Sequence, residues 1–432
     1  MQTARTSRPS RALASLAAAT FLSTAPGAAQ DTVAPGFAVT GSQPVPASFA
    51  AYHTLNNGDR VTFDGVSIDL YDEAGGFLMN LGALPGFVFT SFVESDPSET
   101  YALVGESTFG DIYKVMLDGS GLSAVANIPF HYDAVFEGAD SALISASPCL
   151  CGTNEIYRLD LTGGAPQPII SVPGASGPVA LSNDGDLYYA TASAQFPAPP
   201  GSTDIVFWTA DQLASGSTLT LGDATVFHSG LDGGAALAVD PVYGSLVLAE
   251  AVFGSQSRLL EFAPDGDLVG SSVTSSNYLS NVELRATGTT GHFHAWQPDS
   301  GVTLHYNDLD AGLIVDVRSH RPRAELVANG SAVTFRVTEA LPNSAMLVLW
   351  GPQGAYDPDE TSYGMFPGFL FHTGLPLASI RRLPFLSAVD GAGVGEFTYF
   401  DPGHLAGTLV FQALLLDGSG SGFVGSSRAV LN

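Results

Sequence analysis

Short apolar runs alternate with polar turns along most of the chain. YALVGES leads through a turn to DIYKVMLDGSG over residues 101–121, and ALISAS leads to EIYRLDLTGG over 142–164. The same phrase recurs as LYYATA with DIVFWTADQL over 187–213, SLVLAEA with RLLEFAPDGD over 245–267, and HFHAW with VTLHYNDLDAG over 292–312. A weaker copy, VTFDGVSIDLYDEAGG, covers 61–76. Runs this short, rich in β-branched and aromatic residues and bounded by Gly, Asp and Asn, predict strands rather than helices. Turns such as SNDGD at 182–186 and APDGD at 263–267 fit, because those residues tolerate the backbone angles of hairpins.

Aligning Ile68, Ile112, Ile156, Ile205, Leu259 and Thr303 gives a repeat of about 44–54 residues, the length of a four-stranded propeller blade. Innermost strands are then expected near Ser48–His53, Phe87–Val93, Ala134–Glu137, Pro178–Leu181, Ala235–Val239 and Val282–Ala286. This predicts an all-β protein with a six-bladed β-propeller over residues 47–320. A seventh blade stays open if the Pro-containing segment 30–46 forms strands; that segment is either a leader or a closing strand. After Arg323 the texture changes to longer alternating runs such as AELVANGSAVTFRVTEA and LVFQALLLDG, which predict a small β-sandwich over 323–432.

Composition changes the picture in three ways. Gly 49 and Pro 27 among 432 residues, with only 13% charged, suit turns and strands and exclude long amphipathic helices. Arg5, Arg8 and Arg11, the apolar run Ala12–Leu22 and the small residues Gly27, Ala28 and Ala29 predict a signal peptide over residues 1–29. No arginine pair is present, so the signal reads as Sec-type, and the run is too short to anchor the chain. The expected location is therefore the periplasm, the cell surface or the exterior. A net charge of −27 argues against nucleic acid as a partner, because phosphate recognition needs basic surface.

Candidate chemistry is sparse. Cys149 and Cys151 are too close for a redox CxxC motif and read as a loop clip or two thiols. The stretch 292–308 carries three histidines. A turn at Pro298–Gly301 would pair Gln297 with Val302, place His294 opposite His305 and put His292 on the same face. Three imidazoles plus water is a zinc arrangement; the plainer reading is histidines bridging stacked blades. A second candidate is the channel mouth, where the loops leading into the innermost strands carry His131, Asp133, Asp232, Asn281 and Glu283. Carboxylates from separate blades would hold a divalent cation, Ca²⁺ or Zn²⁺, or a polar ligand there; the plainer reading is turn-capping acids facing water. The acidic loop YDPDETSYG at 356–364 lacks the spacing of an EF-hand. The Pro-rich loop SAQFPAPPGST at 193–203 reads as a binding insertion or a stiff connector. No GxSxG, HExxH, P-loop or dinucleotide fingerprint occurs.

The repeat resembles six-bladed propellers of the NHL, SMP-30/gluconolactonase and TolB-like group. The resemblance covers roughly residues 46–320 and rests on the turn-DG-strand phrases quoted above. It implies a closed ring around a channel. For the lactonases of the group it also implies a divalent metal held by Glu, Asn and Asp side chains. The phrases that surround those ligands are absent from this sequence, so no position inherits the role. The leading expectation is an exported ligand-binding or scaffold propeller. The alternatives are a metal-dependent, lactonase-like hydrolase acting in the channel and a self-assembling structural protein of the surface.

Overall fold

The computed structural model describes residues 31–286 apart from 35–36, 46–49, 148–151, 196–197 and 253, then 293 and 302–319. Beyond 320 it describes the strands named below together with 340, 389–390 and 394. Six sheets, antiparallel apart from one short parallel pair between Gln167–Pro173 and Leu219–Thr220, follow one another between residues 32 and 319. Their first strands are Ala51–Thr54, Thr90–Ser95, His131–Gly138, Val179–Leu181, Ala236–Val239 and Leu279–Ala286. Each first strand packs against the first strand of the next sheet, and the sixth returns to the first. The result is a closed, propeller-like ring.

The burial of successive strands explains the arrangement. Second strands such as Tyr101–Glu106 and Leu246–Glu250 are buried at every residue, as expected for strands covered on both faces. Outer strands such as Leu122–Asn127 are half exposed. Five apolar cores fill the joints between consecutive sheets, from sheets one and two round to sheets five and six. Among the described residues, no such cluster fills the joint between sheets six and one. That joint is polar. Tyr52 donates to the Asn281 carbonyl at 2.9 Å, and Asn281 Nδ2 donates back to the Tyr52 carbonyl at 2.9 Å. Arg60, 1% exposed, reaches Asp316 at 2.6 Å.

The segment before the first repeat closes the ring. Phe37–Pro44 is the outer strand of sheet six, paired with Leu313–Ser319, and Thr32–Val33 adds a fifth strand to sheet five. Gly41 lies opposite Asp316, and a β-carbon at Gly41 would come 2.8 Å from the Asp316 carboxylate. Only glycine lets that carboxylate lie beneath the closing strand.

One expectation is corrected. Ile68, Ile112, Ile156, Ile205 and Leu259 all lie in the third strands of their sheets, but Thr303 lies in a second strand. Sheet six pairs Leu279–Ala286 directly with Val302–Asp308, and Leu313–Ser319 follows as its third strand. Both edges of Val302–Asp308 are thereby occupied, so no hairpin pairs 291–297 with 302–307. His305 faces Glu283 on one side and Asp316 on the other, not His294. His292 and His294 lie outside the described residues.

Past residue 320, Arg323–Asn329, Ala332–Thr338 and Gly395–Phe400 form one sheet. Ala345–Pro352, Arg381–Ala388, Leu409–Leu416 and two short strands, Phe423–Gly425 and Ala429–Val430, form another. Phe335 and Val337 of the first share a core with Met346, Val348 and Ala413 of the second. The acidic loop at 356–364 and both cysteines lie outside the described residues.

The APDGD turn gives a direct test of the backbone. Gly266 has φ +92°, and an added β-carbon would lie 2.4 Å from the Phe227 carbonyl oxygen. Gly266→Ala meets both a disfavoured backbone angle and fixed backbone atoms. It should lower unfolding stability by about 1–3 kcal/mol, measured by denaturant titration.

Candidate functional site

The first strands enclose a central cavity of about 610 Å³, within the usual range for small-molecule sites. One end lies where the chain enters these strands. Ala50, Thr90, Ser91, Phe130, His131, Ser176 and Ser280 line that end. His53, Glu94, Asp133 and Glu283 sit further along the same strands. The lining is two-sided. Sheets one, two, three and six supply the ionisable groups. Sheets four and five supply Val179, Ala180, Leu181 and then Ala235–Val239, none of them ionisable.

His53 is the hub of the charged side. Its Nδ1 lies 3.2 Å from Glu94 and 3.4 Å from Glu283, and its Nε2 lies 2.9 Å from the Ser95 hydroxyl. Burial alone would lower its pKa, but the two glutamates outweigh it and hold the imidazole well above its ordinary range. His53 is therefore an imidazolium at neutral pH. Burial would raise Glu283, but His53, with further help from His305 and the Thr54 N–H at 2.9 Å, keeps it below the usual carboxylate range. Asp133 behaves differently. Burial pushes it up to about 7, and Glu94 and Glu283 add to the rise against two backbone N–H donors, Val179 and Ala134, each at 2.9 Å. Burial pushes His131 down to about 4, so it is neutral at pH 7.

Two Ser–His pairs occur here, and neither is an activated nucleophile. Ser95 does not line the cavity, and a protonated His53 cannot take its proton. Ser91 does line the cavity and lies 2.6 Å from His131 Nδ1, but an imidazole near pKa 4 is a weak base at neutral pH. The carboxylates are also not arranged as a metal cage. Glu94 and Glu283 turn toward His53, and both Asp133 oxygens already accept backbone N–H groups. Among the described residues, no group of three or more His, Cys, Asp or Glu side chains is placed to hold a metal ion. A divalent cation does not fit this donor set as it stands.

Of the five channel-mouth residues singled out in the sequence, His131, Asp133, Asn281 and Glu283 line the cavity. Asp232 does not. It is exposed, and its carboxylate accepts the Gly201 N–H at 2.9 Å, tying the Pro-rich loop to the rim. His305, of the three-histidine set, is buried in the joint between sheets six and one, 2.8 Å from Asp316. His53 and Glu94 were not singled out in the sequence. The signal that locates them is a polar residue in the first strand of a repeat, in AYHT and FVES, where PVAL and AALAV carry only apolar residues.

No protein-family model matches the chain, and no curated protein matches it. Solved structures do. A gluconolactonase from Xanthomonas campestris is 16% identical over 64% of this chain and 87% of its own, with a TM-score of 0.46. The calcium-binding protein regucalcin from Agrobacterium tumefaciens is 14% identical over 65% and 96%, with a TM-score of 0.43. A carbohydrate-active enzyme of family AA12 from Trichoderma reesei is 12% identical over 68% and 98%, with a TM-score of 0.47. Their activities are those proteins' own.

Proposed function

We propose that this is an exported six-bladed propeller with a C-terminal β-sandwich, and that it binds a small ligand in the central cavity. One observation carries the reading. Glu94, Asp133 and Glu283, from three different sheets, converge on one cavity with a single imidazolium among them, opposite an apolar wall. The cavity is thus net negative and suits a ligand that brings positive charge or hydrogen-bond donors. Calorimetry with panels of cationic, neutral and anionic small molecules tests it. Saturable one-site binding that is lost in Glu283→Gln supports the reading. Binding that ignores cavity substitutions, or none across the panels, overturns it.

Asp133 gives the reading a pH dependence. Glu94, Glu283, His53, His131 and Tyr132 are ionisable groups that share the cavity with it. Its folded pKa is raised, so its contribution to stability is full below the ordinary carboxylate range and is lost as pH rises through about 7. The same ionisation adds a charge to the cavity. Affinity for a cationic ligand should rise on the order of tenfold between pH 6 and 8. Asp133→Asn should flatten both profiles, measured by calorimetry and by thermal unfolding across that range. Profiles that Asp133→Asn leaves unchanged would place the titration elsewhere.

A second reading, a lactonase-like hydrolase, is favoured by the gathering of Asn281 with these three carboxylates in one cavity. It requires Glu94 and Glu283 to leave His53 for a metal. Lactone hydrolysis that depends on Ca²⁺ or Zn²⁺ and disappears in Glu94→Gln would establish it.

A further inference from the structure

Resting on the cavity reading, we infer that the ligand is an apolar monoamine: its ammonium sits among Glu94, Asp133 and Glu283, and its apolar body leaves past Phe130 at the mouth. The acidic cluster does not stand alone. Asn307 lines the cavity and is 1% exposed. Its Nδ2 faces the Ala50 carbonyl at 3.4 Å, while its Oδ1 is buried without a partner. A buried acceptor without a donor is costly. Asn307 makes this side of the cavity polar, opposite the apolar wall of sheets four and five.

The apolar half of the inference comes from the mouth. Phe87, Phe89, Phe109 and Phe130 are between 42% and 69% exposed and belong to loops at the end where the first strands begin. Phe87 and Phe89 meet edge to face at 5.8 Å. The Phe89 N–H donates to Thr108 Oγ1 at 2.7 Å, which ties that pair to the loop bearing Phe109. The neighbouring Gly110 abuts Pro129, next to Phe130, and Phe130 lines the cavity itself. Of the four, Phe130 borders the cavity and the others extend an exposed apolar surface outward from it.

These rings are also held in place. The buried Glu106 carboxylate accepts the N–H groups of Thr108, Phe109 and Asp111 at 2.8–3.2 Å. Phe130 takes a left-handed backbone, φ +55°, with its carbonyl bonded by the Ser147 N–H at 3.2 Å. A non-glycine residue in that region is strained and is kept so by its surroundings. The charge count sets the valence. Below about pH 7, where Asp133 is protonated, two glutamates against one imidazolium leave about one negative charge, which one ammonium neutralises.

The test is calorimetry on the purified protein with methylamine, butylamine, hexylamine, hexan-1-ol and hexanoate at pH 6. Hexylamine should bind at least tenfold more tightly than the alcohol or the acid. Each added methylene should tighten binding about threefold to fourfold. Glu283→Gln, with Glu94→Gln as the second variant, should weaken hexylamine at least tenfold. Phe109→Ala with Phe130→Ala should remove most of the dependence on chain length while leaving methylamine unchanged. Equal binding of hexan-1-ol and hexylamine, or indifference to both glutamine variants, overturns the inference. If a lactone or sugar occupies the cavity and no amine competes, the monoamine falls and the cavity reading stands. If no probe of any class binds, both fall.

Discussion

A chain that begins at Pro46 should lose the cooperative fold of the ring. The expected loss is on the order of 5 kcal/mol or more, comparable with the whole stability of a typical domain. The reason lies in sheets five and six. Removing 31–45 takes away the outer strand of sheet six and its ladder with Leu313–Ser319. It strips Val33 and Phe37 from the core that holds Val315 and Val317, where each side chain returned to water costs about 1.5–3 kcal/mol. It also removes the Asp31 carboxylate that accepts the Tyr306 hydroxyl at 2.6 Å, and the stacking of Phe37 on Phe293. Thermal unfolding followed by circular dichroism reads the effect. A synthetic peptide of residues 31–45 should restore part of the transition, because the lost strand pairs with only one neighbour. A truncated chain that melts cooperatively within a few degrees of the intact protein would show that the ring closes without its strap.

How much of this was legible follows from which contacts are local. The strands of the first five repeats were readable because each is a short alternating run with its own turn, and Ile68, Ile112, Ile156, Ile205 and Leu259 mark equivalent strands. The sixth repeat was misaligned because HFHAW has the same texture as a second strand. The residues between Ala286 and Val302 separate the first and second strands of that sheet, and nothing in their composition announces it. At the cavity, His131, Asp133, Asn281 and Glu283 were named because loops leading into the innermost strands converge on the axis. Asp232 looks the same in sequence but turns outward to Gly201, a matter of where the strand begins, which Asp-Gly-Gly does not reveal. The polar joint was not legible at all. Its hydrogen bonds link residues 229 positions apart, as between Tyr52 and Asn281, and no local pattern records such a pairing. That joint also gathers orphaned polar atoms: Arg60 Nε and Nη1, Thr54 Oγ1, Thr62 Oγ1, His305 Nε2 and Asn307 Oδ1 are all buried without partners. Five joints are sealed by apolar burial, which tolerates small shifts. The sixth depends on a few directional contacts.

Asp316→Ala should therefore be among the most damaging single substitutions in the ring, at about 3–5 kcal/mol. Asp316 accepts from Arg60 Nη2 at 2.6 Å and lies 2.8 Å from His305 Nδ1, and it sits beneath Gly41 of the closing strand. Removing the carboxylate leaves the Arg60 guanidinium buried with no counter-charge, at a place where two of its nitrogens already lack partners. Asp316→Asn keeps an acceptor and should cost less. Replacing both members, as Arg60→Met with Asp316→Leu, removes the charge and its orphan together and should recover most of the loss. The pH dependence has a fixed sign. Burial would raise Asp316, but His305 and Arg60 overcome it and hold the folded pKa below the usual carboxylate range. Its contribution is thus present above that range and is lost as pH falls through the folded value. Urea titrations of the four proteins at pH 7 and pH 3.5 separate these effects. The stability gap between the parent and Asp316→Ala should narrow at the lower pH. A gap below about 1 kcal/mol at pH 7 would mean that water already screens the pair, and the ring would then close on its strand ladder alone.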